Sequence, residues 1–127
     1  MSRFVSPVFA LVSEAAILAV AALALATAPA NAHAHLSRAE PRVDSTVASA
    51  PKEVTLSFTE ALESVFSTIE VTDAGGARMD EGEPRISGKV MSIGLKALSP
   101  GAYKVYWRAL SADTHKTEGS FMFRVGK

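Results

Sequence analysis

From residue 35 onward, apolar and polar residues alternate with a period of two, and a helical period is hard to find. That alternation lets an extended chain bury one face and leave the other in water. His35 to Pro41 reads as a first, edge strand closed by proline. In Glu53 to Phe58 the apolar positions are Val54, Leu56 and Phe58. Thr68 to Thr72 repeats the pattern before the turn Asp73-Ala74-Gly75-Gly76. Ala77 to Lys89 is polar, with Gly82, Pro84 and Gly88, and reads as a loop holding at most one short strand. Val90 to Leu95 places Met91, Ile93 and Leu95 on one side. A turn at Ser99-Pro100-Gly101 leads into a long strand, Ala102 to Leu110. A polar connection and a last strand, Ser120 to Val125, complete the chain. Short strands separated by turn signals predict an all-β fold, an antiparallel Greek-key sandwich or barrel. Trp107 shares a face with Tyr103, Val105 and Ala109 and is expected to anchor the core, with Phe121 and Phe123 against it. Arg108 and Arg124 fall on the outward phase.

The start of the chain breaks this pattern. Arg3 precedes an apolar run from Ala15 to Ala26, which is shorter than the roughly 20 residues that span a bilayer. Ala30 and Ala32 then stand in the small-x-small arrangement of a signal-peptidase site. Residues 1–32 are therefore expected to be a signal peptide, and residues 33–127 the exported domain, with no membrane insertion of the mature chain. An uncleaved anchor is the competing expectation; the short run and the cleavage motif disfavour it, and Glu14 beside the run weakens the leader pattern slightly. Cleavage after Ala32 leaves 95 of the 127 residues, beginning at His33. A domain of that size can bury one modest core.

Lys and Arg number 13, matched by 13 Asp and Glu, so there is no charge excess to draw the chain to nucleic acid or an anionic membrane. With no cysteine, both a disulfide framework and thiolate ligands are excluded.

Candidate chemistry resides in three histidines: His33, His35 and His115. A single histidine in a polar loop is ordinarily a surface residue. Their placement changes that reading. Asp113 and His115 are two apart, and in an extended backbone their side chains would point to the same side. Cleavage would give His33 a free α-amine, so that amine and imidazole nitrogens could chelate one ion. Together with His115 and a carboxylate oxygen of Asp113, they form a nitrogen and oxygen donor set that suits Cu(II). A second mode competes: the amine, two deprotonated amides and the His35 imidazole of His33-Ala34-His35 could wrap Cu(II) in a plane without any fold. His35 is thus an alternate ligand or simply an edge-strand residue.

The run Gly101 to His115, followed by Gly119-Ser120-Phe121, resembles the C-terminal signature of the CopC-like periplasmic copper-resistance proteins. His33-Ala34-His35-Leu36 with Pro41 looks like their mature N-terminus, and Phe58-Thr59-Glu60 like their F-[ST]-E element. The resemblance spans His33 to Val125. It implies an Ig-like sandwich or barrel of about seven strands and one Cu(II) ion per chain, held by His33, Asp113 and His115. It also makes Glu60 an axial or outer-sphere candidate, although a solvated carboxylate is the plainer role for it. The family's function implies a periplasmic, non-enzymatic copper carrier or buffer and a CopD-like inner-membrane copper transporter as partner. The alternative is an oxidative enzyme built on an N-terminal histidine brace. The Asp113 carboxylate, which favours Cu(II) over Cu(I), and the lack of an aromatic substrate platform argue against it. Some relatives carry a methionine-rich Cu(I) loop. The corresponding stretch, Asp73 to Lys89, has only Met79, while Met91 and Met122 read as core filler, so a separate Cu(I) site is not expected.

Overall fold

The computed structural model describes residues 35–127. The expected leader and His33 lie outside the described residues. Eight strands run in order: β1 (Leu36–Glu40), β2 (Thr46–Val47), β3 (Glu53–Phe58), β4 (Thr68–Asp73), β5 (Asp80–Ser87), β6 (Val90–Leu95), β7 (Gly101–Leu110) and β8 (Lys116–Val125). They form two four-stranded sheets, ordered β1-β3-β6-β5 and β2-β8-β7-β4. Strands β3 and β6, and β4 and β7, are neighbours without being consecutive, which gives the crossed connections of a Greek-key sandwich. The expected all-β sandwich is the observed fold, and β1 is the edge strand its proline suggested.

Alternation along the strands builds the core. Val54, Leu56 and Phe58 of one sheet face Ile69, Val71, Val105 and Trp107 of the other, all buried. Phe58 meets Trp107 edge-on, with ring centroids 5.1 Å apart. Tyr103 stacks on Phe123, and its hydroxyl donates to the Ser99 carbonyl at 2.5 Å, giving the buried phenol the partner it needs.

Four expectations are corrected. The count is eight strands, because the two-residue β2 pairs in parallel with β8 and is too short to leave a periodic signal. Asp80–Ser87, expected to be mostly loop, is a full edge strand against β6. Its register shifts between Glu81 and Arg85, around the glycine and proline that disguised it. The last strand begins at Lys116, four residues earlier than expected. Met122 lies outward and exposed instead of filling the core, whereas Met91 is fully buried.

Two carboxylates hold the passage between the sheets, Asp73 accepting the Gly75 and Ala77 amides within the turn and Asp80 bridging to β4. Asp80 accepts the Val71 amide at 2.9 Å and binds Arg78 through two hydrogen bonds of 2.7 Å. Val71 lies on β4, at the edge of one sheet, and Asp80 opens β5, at the edge of the other. The Val71 carbonyl accepts from the Met79 amide at 2.7 Å, so both outward backbone groups of Val71 are satisfied by the crossing chain.

Candidate metal centre

The β7–β8 hairpin is paired in register from Gly101↔Val125 to Leu110↔Lys116. Its tip is a three-residue turn. The Ser111 carbonyl accepts from the Thr114 amide at 2.9 Å, and the Ser111 amide donates to the His115 carbonyl at 3.0 Å. Thr114 sits in the left-handed region, φ 71°. A tight turn followed by one left-handed residue is a standard way to close a three-residue hairpin loop. The expectation that Asp113 and His115 converge because the backbone between them is extended is therefore corrected. They do converge, but Asp113 lies inside the turn and His115 is the first residue beyond it.

The two side chains are half-exposed, with His115 Nδ1 3.1 Å from Asp113 Oδ2. The other oxygen of Asp113, Oδ1, accepts a short hydrogen bond from the hydroxyl of Ser111. That bond, followed by the contact with His115, holds the Asp113 carboxyl below the usual carboxylate range. Two donors bound at right angles to one ion, with bonds of about 2.0–2.2 Å, would be about 2.9 Å apart. The observed spacing thus fits donors that share one coordination sphere after a shift of a few tenths of an ångström.

The segment after β3 reaches both the N-terminal end and the hairpin tip. His35 exchanges two hydrogen bonds with Thr59: its carbonyl accepts from the Thr59 amide at 2.9 Å, and its amide donates to Thr59 Oγ1 at 2.9 Å. Two residues on, the Ala61 carbonyl accepts from the Ala112 amide at 2.9 Å, and the Glu63 amide donates to the Leu110 carbonyl at 2.8 Å. Residues 59–63 therefore tie the described N-terminal end to the hairpin tip. Thr59 and Ala61 are two residues apart, a separation of at most about 7 Å. Glu60 lies between these two anchors, half-buried. His35 itself is exposed. Its amide hydrogen is engaged by Thr59, which the planar His33-Ala34-His35 mode would have to displace.

Among the described residues, no group of three or more His, Cys, Asp or Glu is gathered as a metal cluster. The structure brings Asp113 and His115 together, leaves Glu60 on the connecting segment, and places His35 at the N-terminal end tied to that segment through Thr59. Sequence reasoning missed Ser111, Thr59 and Ala61. A small buried residue two positions before an aspartate was the only signal that could have pointed to Ser111. A cleft of about 480 Å³ lies to one side, lined by Phe66, Thr68, Arg108, Ala109, Lys116, Thr117 and Glu118, and none of the expected donors lines it.

A family model described as CopC domain matches residues 36–126. Copper resistance protein C of Escherichia coli is 35% identical over 100 residues, covering 71% of this chain and 79% of that one. The copper transport protein CutJ of Bacillus subtilis is 33% identical over 94 residues; the match covers 71% of this chain but only 17% of CutJ. Among solved structures, CopC from Methylosinus trichosporium OB3b superposes with a TM-score of 0.70 at 30% identity, covering 74% of this chain and 94% of that chain.

Proposed function

The chain belongs to the CopC family of copper-resistance proteins, and from that premise we propose that its exported form binds one Cu(II) ion in the periplasm as a carrier or buffer. It is a binding protein, not an enzyme. In this proposal residues 1–32 are a signal peptide whose removal gives His33 a free amine. The ion is held by that amine, the His33 imidazole, His115 and Asp113. Glu60 stays near the ion as an outer group, and His35, just before β1, only anchors the chain to Thr59.

The observation that carries this is the pair of ties made by residues 59–63. They connect His35 to the segment whose next anchor is Ala112, the residue before Asp113. His33 is two residues upstream of His35, a span of at most about 7 Å. The N-terminal donor thus belongs to the end of the chain that residues 59–63 tie to the hairpin of Asp113 and His115, which supports a shared site. Amine and imidazole nitrogens with one carboxylate match the Cu(II) preference for nitrogen and oxygen donors in a tetragonal arrangement.

Delivery to an inner-membrane copper transporter of the CopD kind is the further part of the proposal. It is supported by the similarity to a stretch of CutJ, whose name is that of a copper transport protein.

The test is a Cu(II) titration of two forms. Protein beginning at His33 should bind one equivalent tightly. Protein carrying one extra residue before His33 should bind far more weakly, because its amine has become an amide. Equal affinities would remove the amine from the site and overturn the assignment.

A further inference from the structure

Ser111 is completely buried, on the last residue before the hairpin turn. A buried hydroxyl needs a partner, and here its single proton faces two acceptors: Asp113 Oδ1, and the His115 carbonyl at 3.1 Å. The ionised carboxylate is the stronger acceptor. Oδ1 of Asp113 is thereby tied down to the floor of the turn, and the carboxylate is left with Oδ2 towards His115 Nδ1, 3.1 Å away. The Ser111 amide separately holds the His115 carbonyl at 3.0 Å, so one residue fixes the backbone of His115 and the side chain of Asp113. The main-chain half of that grip would survive any side chain. Aiming the carboxylate requires the hydroxyl.

We infer that Ser111 is the positioning residue of the copper donors: its hydroxyl selects which oxygen of Asp113 is offered to the ion and holds it beside His115 before the ion arrives. The inference rests on the copper assignment made above. Groups that orient a metal ligand commonly matter about 10–100-fold in affinity.

Ser67 provides the control. It is also buried, and its hydroxyl accepts the Leu110 amide at 3.0 Å, one residue before Ser111. The experiment measures Cu(II) affinity by chelator competition, the copper electron paramagnetic resonance spectrum and thermal stability. The proteins are the chain beginning at His33 and its Ser111→Ala, Ser67→Ala and Asp113→Asn variants. Ser111→Ala should weaken binding about 10–100-fold and alter the copper hyperfine splitting. Ser67→Ala should lower thermal stability and leave both copper readouts native. In the Asp113→Asn background, Ser111→Ala should add little, because the oxygen it aims has already been changed. Native affinity in Ser111→Ala, or the same affinity loss in Ser67→Ala, overturns the positioning role while leaving the copper site standing. Native affinity in Asp113→Asn instead overturns the copper assignment, and the role of Ser111 with it.

Discussion

Gly119 lies directly opposite Trp107 across the β7–β8 pair, and a Cβ built on it would stand 2.7 Å from the indole ring. The indole folds over the place where a neighbouring side chain would otherwise stand. Trp107 is thereby buried against Phe58 although its cross-strand partner contributes no apolar atoms. Gly119→Ala must push the ring or bend the strand. Overpacking of this kind costs about 1–3 kcal/mol. Urea unfolding should report a loss in that range, accompanied by a shift in the emission of Trp107, the single tryptophan. An unchanged midpoint and spectrum would mean that the ring has room to move.

Thr114 is a β-branched residue held at φ 71°, where such residues are uncommon and strained. Asparagine tolerates that region better. Thr114→Asn should raise stability by about 1 kcal/mol, measured by thermal or urea unfolding. If stability falls instead, the bond from the Thr114 hydroxyl to the Asp113 carbonyl, 2.5 Å long, outweighs the strain.

These two positions also mark where the sequence was legible. The period-two signal located β3, β6 and β7 because their inward residues are large: Val54, Leu56 and Phe58; Met91, Ile93 and Leu95; Tyr103, Val105 and Trp107. It failed for the start of β8, where the residue opposite Trp107 is a glycine and carries no apolar signal. It failed for β5 because an edge strand pairs on one side only and can carry Gly82, Pro84 and three acidic residues. At the site, the nearness of Asp113 and His115 could be read from their spacing, but the turn that creates it could not. Thr59 and Ala61 act through hydrogen bonds to residues 24 and 51 positions away, and no local pattern announces such partners.

Asp80 is expected to contribute stability that acid removes. Its carboxyl is held below the ordinary range, first by the hydrogen bond from Arg78 and also by the Val71 amide; burial opposes them. A depressed folded-state pKa means the contribution is complete above the unfolded value of about 3.9 and fades as pH falls through the folded value. Asp80→Asn should cost about 1–2 kcal/mol at neutral pH, since Arg78 is half-exposed and partly screened. Unfolding measured from pH 7 to pH 3 should show the gap between native and variant constant down to about pH 5, then narrowing. A gap that widened in acid would reverse the sign of this linkage.

Copper affinity should fall as pH falls, because protons compete for the donor nitrogens. Asp113 should not take part in the mildly acid range. The hydrogen bond from Ser111, then that from His115, holds its carboxyl low, so it stays ionised while nitrogen donors take up protons. Between pH 7 and pH 5 the dissociation constant should rise about tenfold or more per pH unit. Asp113→Asn should be weaker throughout that range yet follow the same slope. A flattened slope in the variant would show that the carboxylate, not the nitrogens, sets the acid sensitivity.

The two copper modes are separated by which histidine matters. In the folded mode His115 is a ligand and His35 is the residue just before β1, its amide bonded to Thr59. His115→Ala should then weaken Cu(II) binding by more than about 100-fold, since losing a ligand should cost at least as much as losing a group that orients one. His35→Ala, which keeps the backbone bonds to Thr59, should change it little. The planar mode inverts both results, because it uses the His35 imidazole and ignores the hairpin. It also requires the His35 amide to lose its proton and leave Thr59, freeing the first strand at its start. Thr59→Val tests that competition directly. It removes the hydroxyl that accepts the His35 amide, so copper should move towards the planar mode, visible as a blue shift of the d–d absorption when a fourth nitrogen replaces oxygen. A Thr59→Val protein with a native copper spectrum, alongside a His35→Ala protein of native affinity, would mean that the folded donors hold the ion without help from that strand contact.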